Sequence, residues 1–138
     1  MLLEPFLSYT PYLALLVRLY MGVAMTVHGY PKMTGAGRAR AVEFMRSVGV
    51  PGTAAVLSSI LEFIGGLFLI AGLIVPVVGL FFALQFASIT VLKKRTMKSP
   101  FISPGGPSYE IDVVYLVFSI VLVVLGAGAL SFDSALGL

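Results

Sequence analysis

Cysteine is absent from this chain, histidine occurs once, and charged residues make up only 11% of its 138 positions. Without cysteine the chain itself cannot carry thiol redox catalysis, a disulfide, an iron–sulfur cluster or a thiolate metal site. A single histidine with no HxxxH or HxxE pair argues against a haem or metal centre built from this subunit alone, so no metal site is expected. The shortage of charge excludes most, since a soluble domain carries roughly 25% charged residues. What stands in its place is 59% hydrophobic residues and a mean hydropathy of +1.05. The composition is that of an all-α membrane protein, read as one transmembrane domain over residues 1–138. Four apolar runs and short connections use the length, so a soluble domain is not expected. A cleaved signal peptide is not expected either, because the stretch before the first run holds Glu4 and no Lys or Arg.

The four runs cover about 11–30, 53–73, 76–92 and 111–130, each near the length a bilayer requires. Gly72 ends the second run and Pro76 opens the third, where a missing N–H is harmless, which predicts a tight hairpin. The longer connections, 31–52 and 93–109, lie on the other side. They hold Lys32, Arg38, Arg40, Arg46, Lys93, Lys94, Arg95 and Lys98, which is every Lys and Arg except Arg18. The side with Glu4, the uncharged hairpin and Asp133 has none. The positive-inside rule therefore puts the basic loops in the cytoplasm and both termini outside. The net charge of +3 reflects these loops, and nothing in the chain signals nucleic acid. Within the first connection, residues 38–48 have helical periodicity, with Ala41, Phe44, Met45 and Val48 on one face and Arg40, Glu43, Arg46 and Ser47 on the other. This predicts a short amphipathic helix at the membrane interface. The second connection is rich in proline and glycine and reads as a tether.

Arg18 and Glu62 are the only charges inside the first two runs. A charge at such depth is costly and survives by facing the bundle interior with a partner. Arg18 lies 12 residues before Tyr30, about 18 Å deep, and Glu62 nine residues past Thr53, about 14 Å deep. In antiparallel helices these depths match, so the two are expected to pair. Such a pair is either a clamp on helix register or a polar site for a proton, a quinone head group or a small anion. Spacing places Gly22 and Gly29 beside Arg18, Ser58 and Gly65 beside Glu62, and Asp112, Tyr115 and Ser119 on one stripe of the fourth run. Small residues at such spacing let membrane helices approach closely. Gln85 falls off the small stripe of the third run and is expected at a cleft edge or a second subunit. His28 reads as a proton donor near neutral pH or as a hydrogen-bonded structural residue. Glu110 and Asp112 open the fourth run, where they complement its helix dipole.

An ordered set of features spans nearly the whole chain: Arg18-Leu19, Gly22, His28-Gly29 with Lys32, and Phe44 with Gly49-Val50-Pro51. It continues through Glu62, Gly65-Gly66, Gly72-Leu73 before Pro76, Glu110, and Gly126-x-Gly128-x-Leu130-Ser131-x-Asp133. This set resembles the DoxX family of small four-helix membrane proteins, which includes the DoxD-like subunits of thiosulfate:quinone oxidoreductase. The resemblance singles out Arg18, His28, Lys32, Glu62, Glu110 and Asp133. It implies a membrane subunit of a redox complex, holding no cofactor of its own except a quinone taken from the membrane. A polar pocket would then lie between the first, second and fourth runs, with Arg18, Glu62, Tyr115 and Ser119 around the quinone head group. Arg18 would bind an anionic or carbonyl oxygen, Glu62 would hold Arg18 or exchange a proton, and His28 with Glu110 would relay protons. Unlike the longer two-part thiosulfate enzyme, the chain has no cysteine and no second domain, so the electron donor would belong to a partner oxidoreductase subunit. A homo-oligomer and contact with lipid are also expected. The alternatives are a structural or assembly subunit with no catalytic role, or a proton or small-solute pathway.

The orientation is open to direct test. Single cysteines introduced at Arg40 and Lys94 should resist an impermeant maleimide in intact cells, while one introduced near Asp133 should react. Labelling at Lys94 from outside would overturn the assignment.

Overall fold

The helical reading of the runs holds in a computed structural model, which describes residues 7–138; Glu4 lies outside the described residues. The helices are α1 (Thr10–Met33), α2 (Gly35–Ser47), α3 (Gly52–Ala71), α4 (Val75–Arg95), α5 (Glu110–Leu125) and α6 (Phe132–Leu136). There is no strand among the described residues. Three segments, Tyr12–Met33, Gly52–Ala71 and Val75–Arg95, are long and apolar enough to cross a membrane. The fourth run ends five residues earlier than expected, because Gly126 adopts φ +68° and turns the chain. At 16 residues, α5 is about 24 Å long. The first run, by contrast, continues through Pro31 to Met33. Proline removes one hydrogen bond there without stopping the helix.

The helices pack as two tight pairs, α1 along α3 and α4 along α5, with looser contact between the pairs. Glycine makes the first pair possible. A Cβ on Gly66 would stand 2.7 Å from the Gly22 carbonyl oxygen, and one on Gly29 would stand 3.0 Å from the Glu62 Cβ. The backbones therefore touch, which is how helices associate in a solvent as apolar as their own side chains. Met21, Met25, Leu69, Phe82, Phe86 and Leu122 fill the centre. Large apolar side chains such as Leu57, Leu84 and Val124 point outward and are exposed, an arrangement suited to lipid. α2 buries no residue of its own and leans on α3 and α1.

At the end where α3 turns into α4, the last residues of the chain close the structure. Ile74 N–H and Val75 N–H donate to the Asp133 carboxylate at 2.6 and 3.0 Å. Asp133 N–H in turn donates to the Gly72 carbonyl at 2.9 Å. The first N–H groups of a helix have no partner within it. Asp133 supplies the missing acceptor from a distant point in sequence, and its negative charge suits the positive end of the α4 dipole.

Asp133→Ala should therefore cost about 1–2 kcal/mol, the usual loss of a helix cap, and lower the thermal midpoint of the detergent-solubilised protein. Asp133→Asn should lose less. An unchanged midpoint in Asp133→Ala would show that the cap does not stabilise the fold.

Candidate functional site

Glu62 sits midway along α3 and is 4% exposed. Its Oε2 accepts from Lys32 Nζ at 2.5 Å, and its Oε1 accepts from Gln85 Nε2 at 2.9 Å and Ser58 Oγ at 3.2 Å. Local geometry explains each partner. Ser58 is one turn before Glu62 on the same helix, and Gly29 brings the α1 backbone against Glu62. Lys32 stands three residues beyond Gly29. Side chains on a helix lean toward its N-terminus, so the lysine reaches back to the level of Glu62. The extension of α1 past Pro31 makes Lys32 a helical residue rather than part of the loop.

A second ion pair links α4 to α5. Lys93 Nζ lies 2.6 Å from Asp112 Oδ2 and 3.1 Å from the Ser108 carbonyl. Asp112 is 6% exposed, so it does more than complement the α5 dipole. Between the two helix pairs lies a cavity of about 600 Å³, lined by both ion pairs and overlaid by Arg40, Phe44 and Met45 of α2. Its wall also holds His28, Phe86 and Tyr115. The rings of Phe86 and Tyr115 have centroids 5.1 Å apart, and His28 meets Tyr115 edge-on at 6.4 Å.

Arg18 is not part of this site. It is 2% exposed, and its Nη2 donates to the Leu130 carbonyl. It packs against Gly72, where a Cβ would collide with it, and the Asp133 carboxylate attracts it. The expected Arg18–Glu62 pair is therefore corrected: the two residues belong to opposite ends of the bundle. The depth comparison failed because Tyr30 and Thr53 are not level. Glu62 lies opposite Gly29, eleven residues and about 16 Å from Arg18. The first turns of α3 pack instead on α2, with Gly52 against Val42 and Arg46. A second cavity of about 420 Å³ lies at the Asp133 end, and Arg18 lines neither one.

The remaining candidates divide between the cavity and the rest of the fold. His28, Lys32, Glu62 and Tyr115 come together on the cavity wall. Ser119 is buried in the helix interface, donating to the Tyr115 carbonyl within α5. Glu110 is exposed and does not line the cavity. Gln85 faces α3, whereas Gly79 on the small stripe of the same helix meets α5 at Ser119 and Val123. The Lys93–Asp112 pair went unforeseen. A buried-side carboxylate two residues into an apolar helix was its available signal.

The sequence carries matching relationships. The DoxX family model matches residues 13–95, from α1 to the end of α4. That segment contains Lys32, Ser58, Glu62, Gln85 and Lys93. A protein of Bacillus subtilis (strain 168) named "Putative oxidoreductase CatD" is 32% identical over 119 residues, covering 86% of this chain and 83% of that protein. No solved structure matches the chain. With apolar helices long enough to span a bilayer and a family match over more than half its length, the chain belongs to the DoxX family of membrane proteins.

Proposed function

We propose that this protein is a membrane subunit of an oxidoreductase complex and that its cavity takes a quinone head group. The observation that carries this reading is the placement of a buried carboxylate, Glu62, on the wall of an aromatic-lined cavity. Structural clamps need no such space beside them. The volume of about 600 Å³ falls in the range of small-molecule sites, roughly 300–1,000 Å³. Mostly apolar walls with a few convergent polar groups suit a planar ring better than a free ion. The relationship to a protein named as an oxidoreductase supports the redox class.

A bound quinone supplies an acceptor for two electrons and two protons. The chain's own residues supply position and polarity. Phe86 and Tyr115 offer ring faces, Lys32 offers N–H donors to an oxygen, and Ser58 and Gln85 hold Glu62 in place. The His28 imidazole on the same wall can carry a proton. Glu110 has no part in this reading, since it is exposed and away from the cavity. In this arrangement α5 is the fourth crossing helix, α2 lies in the headgroup plane, and the basic connections face the cytoplasm. The cavity then opens near the cytoplasmic surface, where a partner chain can deliver electrons. Arg18, Leu130 and Asp133 fix the opposite end of the bundle.

Extraction of the protein in native lipid discs, followed by mass spectrometry, should find quinone enriched over the bulk membrane. Ala41→Phe, which fills the cavity from α2, should lower that enrichment by about tenfold, the effect of roughly 1.4 kcal/mol. Leu84→Phe, on the exposed face of α4, should not. Quinone at the bulk ratio in the parent protein, or equal retention in Ala41→Phe, would sink the quinone reading.

A further inference from the structure

Resting on the cavity reading above, we propose that the site holds its ligand from both ends, with Lys93–Asp112 as a second polar pole facing Lys32–Glu62. The ligand class this geometry takes is a planar ring with acceptor oxygens on opposite sides, an aromatic dione rather than a single-oxygen ring.

Three observations build the case. Both ion pairs line one cavity, yet they belong to different helix pairs: Lys32–Glu62 joins α1 to α3, and Lys93–Asp112 joins α4 to α5. The cavity runs between those helix pairs, so each pair brings one ammonium group to it. Each carboxylate is almost fully buried and matched by one lysine. Each pole is thus close to neutral, and Arg40, exposed on α2, adds a further cation to the lining.

The donors that remain set the chemistry. An ammonium group has three N–H donors and no acceptor. Lys93 uses two of them on Asp112 and the Ser108 carbonyl. Lys32 uses one on Glu62. Among the described residues both poles therefore keep a donor without a protein partner and can receive an acceptor oxygen. Phe86 and Tyr115, with ring centroids 5.1 Å apart, line the same cavity from the α4–α5 pair and give the body of the ligand an aromatic surface. The Lys32 and Lys93 side chains are 39% and 21% exposed, so a ring that satisfies only one lysine leaves the other to water and gains one charge-assisted hydrogen bond where a dione gains two.

The test is equilibrium dialysis of the purified full chain in detergent micelles, with empty micelles as the control. The probes are menadione, which has two opposed carbonyls, and tetralone, which has one on a similar bicycle. The parent protein should bind menadione saturably and about tenfold more tightly than tetralone. Lys93→Met should remove that preference by weakening menadione, while Lys94→Met on the neighbouring exposed position should keep it. Because Lys93→Met strands Asp112, the double variant Lys93→Met/Asp112→Leu is measured as well and should also lose the preference. Saturable menadione binding that ignores both Lys93 variants would overturn the two-pole inference and leave the cavity reading standing. A parent protein that binds neither probe saturably would overturn both.

Discussion

A carboxylate buried at the depth of Glu62 needs a cation within reach, and Lys32 provides it. Much of the architecture follows from that contact. The lysine must be helical to reach back to Glu62, so α1 must continue past Pro31. The two helices must also touch, and Gly22, Gly29 and Gly66 allow their backbones to meet. An ion pair in an apolar medium gains little over a well-packed apolar substitute, but breaking one side of it is expensive. It therefore favours one register of α1 against α3 over its neighbours. Gln85 extends the same polar cluster to α4, so the carboxylate connects three helices.

The two ends of the bundle are built on different principles. At the hairpin end, charge is consumed by structure: Asp133 caps α4 and Arg18 holds the Leu130 carbonyl. Gly72 leaves room there for the arginine and for Ser131. At the basic end, the two lysine–carboxylate pairs each tie one helix pair together, and the looser contact between pairs leaves the cavity. The polar groups of the chain are thus divided between an anchor at the hairpin end and a site at the basic end.

Much of the fold was legible in the sequence. Apolar length gave the runs, Gly72 and Pro76 gave the hairpin, and periodicity gave α2. These signals are local, and a bilayer leaves few alternatives to the helix. The boundaries that shifted did so at Pro31, which the helix absorbs, and at Gly126, which ends α5 early. Register was not legible by counting from loop ends, because that assumes helices enter the membrane at a common level. The short helix α2 breaks that assumption and displaces α3 relative to α1. Glu62, His28 and Tyr115 could be picked out as candidates from their type and position. Their partners could not, since Lys32 counts as a loop residue until Pro31 is known to lie within a helix. The glycines carried the better signal: pairing Gly22 with Gly66 sets Glu62 near Gly29 and far from Arg18.

The central claim is that Glu62 answers to Lys32 and not to Arg18. A double-mutant cycle measured by SDS-driven equilibrium unfolding in mixed micelles tests it most directly. Lys32→Met and Glu62→Gln should be non-additive by about 1 kcal/mol or more, as expected for residues in contact. Arg18→Met and Glu62→Gln should add within about 0.5 kcal/mol, as distant sites do. Coupling between Arg18 and Glu62 with additivity between Lys32 and Glu62 would contradict the account.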